Sequence, residues 1–450
     1  MLLSLIPGLG QISNGQKAKG GIFLGIFALF IIEMLTFGAS AVDGIVSLGH
    51  NPGVDNSMFL LVRGTLQLLI LVLFVMFYVI NMVDAKRVAQ ILNKGGQVGT
   101  SFADIKESLA THGFPYLLTF PAYILMIFTI ILPVLVTLFM AFTNYDFNHI
   151  PPAALISWTG LENLKAIFTL SSYKATFGAV FGWTLIWTLC ASTLQIVLGI
   201  FTAVVAHQDF IKGKKIFGII FLLPWAVPAF VTILSFSNIF NDSAGAINVQ
   251  VIPFLNHLFP FLHIPQISWM TDPFWTKVAL IMIQGWLGFP YVYVLVTGIL
   301  QSISDDLYEA ATIDGASAWQ KFRNITLPAI FAVAAPTFVT QYTFNFNNFS
   351  IIYLFNNGGP GDVGGGAGNT DILISWIYKL TTGTTPQYGL ASAITIIISL
   401  IVIGISLAVF KKGCIIFRTD NVKFFCITVL LLFSPFLRQN KRDGPQRQSN

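Results

Sequence analysis

The sequence predicts an all-α, polytopic membrane protein, a transmembrane helical bundle of about eight spans, and three observations carry that prediction. Hydrophobic residues make up 55% of the chain and charged residues only 10%, against roughly 25% charged in soluble domains. Apolar runs able to cross a hydrocarbon layer of roughly 30 Å as helices lie near 20–38, 64–83, 115–142, 175–206, 216–240, 276–301, 329–355 and 387–410. Successive connections between these runs also alternate between basic-rich and basic-poor, as expected when Lys and Arg collect on the cytoplasmic side.

The segment before the first run, SLIPGLGQISNGQ, is rich in Gly and Pro and lacks a convincing cleavage site, so the first run is expected to stay as a span. With the N-terminus inside, Lys17, Lys19, Lys86, Arg87, Lys94, Lys106, Lys212, Lys214, Lys215, Lys321, Arg323, Lys411 and Lys412 fall on the cytoplasmic side. Arg63, Lys165, Lys174, Lys277 and Lys379 fall outside, and connection 241–275 holds no basic residue. Both termini are therefore expected in the cytoplasm, and the net charge of +5 reads as topology. Lipid is the implied surrounding, and nucleic acid is not an implied partner.

Three regions follow. Residues 1–111 hold two spans and a basic cytoplasmic linker over 84–111, residues 112–412 form a six-span core, and residues 413–450 form an atypical tail. Within the tail the apolar stretch 424–437 is too short for a span; it reads as an interfacial segment or as the product of a reading-frame change. Connections 143–175, 241–275 with Pro253, Pro260, Pro265 and Pro273, and 356–387 with its glycine runs are expected as external turns. The Gly364-x-Gly366-x-Gly368 run follows no strand and opens no helix, so it is not read as a dinucleotide fingerprint.

No catalytic constellation appears. The chain lacks G-x-x-x-x-G-K-[ST] and H-E-x-x-H, its six histidines are scattered, and Cys190, Cys414 and Cys426 have no ligand spacing. No enzyme activity, metal or cofactor is expected in this chain. Chemistry is sought instead in polar residues within spans, which are costly in a bilayer and face a cavity or another helix. In the seventh run, Gln341, Asn345 and Asn348 recur at i, i+4 and i+7, with Phe344 beside them; in the sixth, Gln284, Gly288 and Tyr291 do the same. Gly288 and Pro290 are expected to open the sixth helix for a ligand, and Trp225 lies between Pro224 and Pro228 in the fifth. Amides with aromatic faces suit a carbohydrate path. The same amides also suit helix–helix hydrogen bonding.

Between the sixth and seventh runs, over 302–328, lies a polar stretch with Glu309-Ala310-Ala311, then Gly315, then Ile325-x-Leu327-Pro328 after nine intervening residues. This spacing resembles the EAA loop of the membrane subunits of binding-protein-dependent ABC importers. The resemblance implies a docking element for a pair of ATPase subunits, with Glu309, Ala310, Ala311, Asp314, Gly315, Leu327 and Pro328 in the coupling surface and ATP used only by those partners. The motifs LPWAVPAF, LGFPY at 287–291, FNFNNF at 344–349 and NGGPG at 357–361 extend the resemblance to the larger permease subunit of the maltose/maltodextrin importer, over most of 115–411. It implies a second permease subunit, an extracellular sugar-binding protein, and a bacterial cytoplasmic membrane. It also implies a mid-membrane site for maltose or maltodextrin, with Leu287, Gly288, Tyr291, Phe344, Asn345 and Asn348 in contact and Trp225 beside them. Trp225 stands where well-known members have another aromatic and Ala229 where they have a hydroxyl. Connection 143–175 is too short for the large external domain of some members, so the chain looks like the compact form of Gram-positive bacteria. The alternatives are an ABC permease for another sugar, or a secondary transporter or intramembrane enzyme, which would need carboxylates or histidines in the spans; Glu33 is the main one present.

Overall fold

Apolar chain in a bilayer must satisfy its own backbone, and the long helix is the element that does so within one segment. The computed structural model describes residues 2–111, 113–208, 210–261 and 263–416, and among them there are helices and connections but no strand. Seven helices are long and apolar enough to cross a membrane: Lys17–Ser47, Ser57–Asn93, Phe114–Met140, Ser171–His207, Pro273–Leu300, Ala318–Asn356 and Tyr388–Leu407. They match the first, second, third, fourth, sixth, seventh and eighth expected spans. The fifth is not one rod. Lys214–Ala226 and Ala229–Ile239 meet at 88°. The tail from 413 and its apolar stretch 424–437 lie, from 417 on, outside the described residues.

The chain forms two compact units, one of residues 1–167 with 380–396, the other of 168–379 with 397 onward. In the first, Ile45, Leu48, Leu61 and Ile156 form a buried cluster. The second span starts where the Asn56 side chain accepts hydrogen bonds from the Met58 and Phe59 backbone N–H groups at 3.1 and 3.2 Å, a standard N-cap. The Gly/Pro-rich N-terminal segment folds against this span: Asn81 Nδ2 donates to the Ser4 carbonyl at 3.0 Å, the fully buried Gln11 donates to the Asn81 carbonyl at 3.2 Å, and Lys19 pairs with Asp84 at 2.6 Å. In the basic linker, Ser101 and Asp104 form a capping box for the helix Phe102–Ala110, and the Ser101 backbone N–H holds the Asp104 carboxyl below its ordinary pKa.

In the second unit the fourth and sixth spans form the central pair. Trp187, Ala279, Leu280 and Ile283 anchor one buried cluster with Ile351 and Phe355. Phe289, Val292 and Val296 join Ile196, Ile330 and Phe338 in a second. The seventh span is a succession of pieces: a π-helical turn at Phe322–Thr326, the helix Leu327–Phe346, a break, and Phe349–Asn356.

The connection after Asn356 is more than a turn. Trp183 Nε1 donates to the Thr370 carbonyl at 3.0 Å, the Leu373 N–H donates to Thr184 Oγ1 at 3.1 Å, and Trp376 is fully buried. Asp371, 1% exposed, accepts from the Gly368 N–H and Ser375 Oγ, each at 2.7 Å, and from Lys379. The carboxylate thus joins the glycine-rich stretch to the helix Leu373–Thr382, and Trp183 and Thr184 tie both to the fourth span. Removing the cation alone strands a buried charge, which costs on the order of 3–5 kcal/mol. Lys379→Met is therefore expected to lower the thermal midpoint of the detergent-solubilised protein clearly, with Asp371→Asn less severe because the amide still accepts; equal midpoints for Lys379→Met and parent would contradict this account.

Candidate functional site

The two interruptions in the second unit face one space. In the fifth span, Val227 is extended (φ −114°, ψ 137°) because the ring of Pro228 disfavours helix at the residue before it, and Pro228 carries no N–H to continue the ladder. In the seventh, Asn347 and Asn348 leave helical geometry between Phe346 and Phe349. Pro224, Trp225, Val227, Pro228, Phe344, Asn348 and Ser350, drawn from these breaks and their flanks, line a cavity of about 490 Å³. Broken backbone at membrane depth is tolerated where it lines a cavity, and this volume suits a small-molecule site, about 300–1,000 Å³.

One part of the lining is aromatic and apolar. Trp225 and Tyr291 have ring centroids 6.2 Å apart, Phe344 is exposed, and Leu287 and Ile233 complete the wall. The other part is a chain of amides from the fourth, sixth and seventh spans. Gln195 Nε2 donates to Gln341 Oε1 at 2.8 Å, Gln284 Nε2 donates to Gln195 Oε1 at 3.3 Å, and Asn348 Nδ2 donates to Gln284 Oε1 at 3.0 Å. Asn348 Nδ2 also reaches Asn345 Oδ1 at 3.4 Å, and Asn345 Nδ2 donates to Ser192 Oγ at 2.9 Å.

Of the seven residues singled out from the sequence, Trp225, Leu287, Gly288, Tyr291, Phe344 and Asn348 line the cavity, and Asn345 does not. Its side chain is fully buried behind Asn348, and Trp187 Nε1 donates to its carbonyl at 2.9 Å. The expected continuous face of Gln341, Asn345 and Asn348 is interrupted because the helix ends at Phe346, two residues before Asn348. The sixth span is likewise helical throughout Pro273–Leu300, so Gly288 and Pro290 do not open it. Gly288 serves close approach instead: a Cβ there would lie 1.9 Å from Gln195 Oε1, and only glycine leaves room for the amide to reach across. Gln195 and Ser192 were not singled out in the sequence. Gln195 in TLQIV carried a signal, a large polar side chain in mid-span.

The 302–328 connection builds a helix–turn–helix. Asp305 and Asp306 open the helix Asp305–Ile313, where negative charge complements the N-terminal dipole. Ala316 N–H returns to the Ala311 carbonyl at 2.8 Å, and Gly315 takes φ +74°, the left-handed conformation that ends a helix and favours glycine. Nothing in the chain lies within 4 Å of a Cβ at Gly315. Ser317 and Gln320 cap the next piece, Lys321 Nζ donates to Thr312 Oγ1 at 2.6 Å, and the Tyr308 and Thr326 hydroxyls meet at 2.9 Å. Glu309, Ala310 and Asp314 are exposed, Ala311 half-buried, and Leu327 and Pro328 half-buried where the connection joins the seventh span. Ile313, 87% exposed, and Trp319, 65% exposed, give the connection an uncovered apolar surface.

Comparison with known proteins gives the family. Residues 195–412 match the family described as binding-protein-dependent transport system inner membrane component. The maltodextrin transport system permease protein MalC of Streptococcus pneumoniae is 62% identical over 411 residues, which is 91% of this chain and 94% of that one. The chain belongs to this family of importer membrane components. A second member, the galactooligosaccharides transport system permease protein GanP of Bacillus subtilis, is 46% identical over 415 residues, 92% of this chain and 96% of that one. The fold is that of solved ABC permeases: the crystal structure of a bacterial ABC transporter involved in the import of the acidic polysaccharide alginate superposes with TM-score 0.57 at 20% identity, over 69% of this chain and 99% of that chain. As a family member this chain is a multi-pass membrane transport subunit.

The amide geometry separates two roles for neighbouring asparagines. Asn345→Ala leaves buried donors and acceptors unpaired at a cost of about 1–3 kcal/mol, so it is expected to lower thermal stability. Asn348→Ala, at the accessible end, is expected to spare most of that stability; the same large loss in both variants, read by melting in detergent, would contradict the distinction.

Proposed function

We propose that this chain is the permease subunit of an ATP-driven importer that carries maltodextrin-type oligosaccharides across the bacterial cytoplasmic membrane. Two similarities point to the cargo class, the 62% identity to a maltodextrin permease and the 46% identity to a galactooligosaccharide permease. The observation that carries the reading is the cavity at the two helix breaks, where Trp225, Tyr291 and Phe344 oppose Gln341 and Asn348. Pyranose rings present apolar C–H faces and a rim of hydroxyls. Aromatic faces cover the former, and amides pair with the latter.

In this reading a second permease subunit completes the pathway, an extracellular binding protein delivers sugar, and a pair of ATPase subunits docks on the EAA loop from the cytoplasm, where both termini also lie. ATP binding draws the ATPases together, the helix–turn–helix transmits that displacement into the sixth and seventh spans, and the cavity turns outward. Exposed Ile313 and Trp319 supply apolar contact, Glu309 and Asp314 supply charge at the rim, and Ala310, Ala311 and Gly315 keep the surface low.

Loss of one stacking or amide contact costs about 1–3 kcal/mol, or ten-fold and more in affinity. Tyr291→Ala combined with Asn348→Ala is expected to reduce maltodextrin uptake by at least about ten-fold at normal membrane abundance, and parental uptake in that double variant would overturn the sugar-site assignment. At the loop, Gly315→Leu forces a branched side chain into a left-handed backbone. The expected outcome is loss of ATPase copurification or of sugar-stimulated hydrolysis with the spans still inserted; full copurification with unchanged stimulated hydrolysis would remove Gly315 from the coupling surface.

A further inference from the structure

The amide chain behind the cavity has a direction. Its origin is Ser192, whose hydroxyl lies 3.5 Å from the Gln341 backbone carbonyl. A carbonyl only accepts, so the hydroxyl donates to it and offers its lone pairs to Asn345 Nδ2 at 2.9 Å. Asn345 must then turn Oδ1 toward Asn348, Asn348 must turn Nδ2 toward Gln284, Gln284 must turn Nε2 toward Gln195, and Gln195 must turn Nε2 toward Gln341. Reversing any one amide would set two donors or two acceptors face to face in a buried, low-dielectric place.

Two atoms are left over. Gln341 Nε2 and Asn348 Oδ1 have no partner among the described residues, and neither is a buried unpaired atom, so both remain accessible on residues that line the cavity. Gln195 links Gln341 to Gln284, which meets Asn348: it has no exposed surface, and both ends of its amide are engaged.

We propose that Gln195 is a positioning residue that carries the polarity fixed at Ser192 on to Gln341, so that Gln341 presents a donor to the cavity while Asn348 presents an acceptor. The proposal rests on the sugar-site reading above and deepens it by naming what the site discriminates. A sugar hydroxyl can accept at Gln341 or donate at Asn348. An ether, ring or glycosidic oxygen has no hydrogen and fits only at Gln341, so the two ends separate free hydroxyls from linked or capped oxygens. A site built to hydrogen-bond a hydroxyl rejects an analogue lacking that hydrogen far more strongly than an apolar pocket rejects a missing methylene.

The test uses cells carrying the full chain with its native partners, so that the same proteins deliver sugar in every arm and differences between variants report on this chain. Uptake of a labelled maltodextrin is measured against concentration, in competition with the mono-O-methyl and monodeoxy derivatives that parental cells take up, for parent, Gln195→Met, Gln195→Glu and Asn348→Ala at matched membrane abundance. Gln195→Met keeps the length without the hydrogen bonds and is expected to raise the half-maximal concentration about ten-fold. Gln195→Glu accepts only, so Gln341 turns over to donate to it and shows Oε1 to the cavity. The ranking of O-methyl against parent sugar is then expected to shift by about ten-fold or more. A purely structural Gln195 would lower uptake of every sugar by one common factor in both variants, and that result, or parental values throughout, overturns the proposal. If Asn348→Ala also behaves as parent, the sugar-site reading itself fails; if Asn348→Ala is impaired while the Gln195 variants keep the parental ranking, only the positioning role fails.

Discussion

A polar group withdrawn from water is costly unless it finds a partner inside the protein, and that cost organises the second unit. Helix breaks in the fifth and seventh spans free backbone groups that lipid cannot satisfy, and both breaks face the same cavity. Five amides and a serine come from three different spans, and they satisfy one another in a single line from Ser192 to Gln341. Close packing of the fourth and sixth spans depends on this line, because Gly288 exists to admit Gln195. Hydrophobic burial supplies little net attraction between these helices, since lipid tails compete on equal terms with apolar side chains, so close packing and hydrogen bonds across the helices hold them in register.

The same principle appears at the connection after Asn356. A buried carboxylate, Asp371, collects a backbone N–H, a hydroxyl and a lysine, and two tryptophans of the unit donate to carbonyls of that stretch, Trp183 to Thr370 and Trp376 to Gly365. What reads as a glycine-rich turn is held as firmly as a helix. By contrast the 302–328 connection is braced by a few polar contacts and leaves Ile313 and Trp319 uncovered. That uncovered apolar surface is what the proposed ATPase docking would bury.

Much of this was legible in the residues. Composition and run length yielded the helical class and the positions of seven spans, because a stretch of apolar residues of sufficient length has no other stable form in a bilayer. The EAA spacing was legible because a helix, a left-handed glycine and a second helix are local structures, set by neighbours within a few residues. Trp225, Tyr291 and Phe344 were legible as aromatic residues beside helix-breaking or amide-bearing positions.

Tertiary structure decided what depends on residues distant in sequence. Periodicity put Asn345 with Gln341 and Asn348, but the helix ends at Phe346, and Asn345 turns away to Ser192, 153 residues earlier. Periodicity cannot anticipate where a helix stops when the partners that compensate its lost hydrogen bonds lie on another span. Gln195 was overlooked for the same reason: its meaning comes from Gln341 and Gln284, 146 and 89 residues away. The 88° bend was not anticipated in the run 216–240, which read as one span; Pro224 and Pro228 carried the signal of an interruption, and its angle was set by packing. Sequence by itself determined which segments are helical and membrane-spanning, because those follow from local composition and solvent. The packed fold alone decided which polar groups are spent on one another and which are left facing the cavity, because hydrogen bonds are satisfied in pairs and the partner of each was set by where the helices meet.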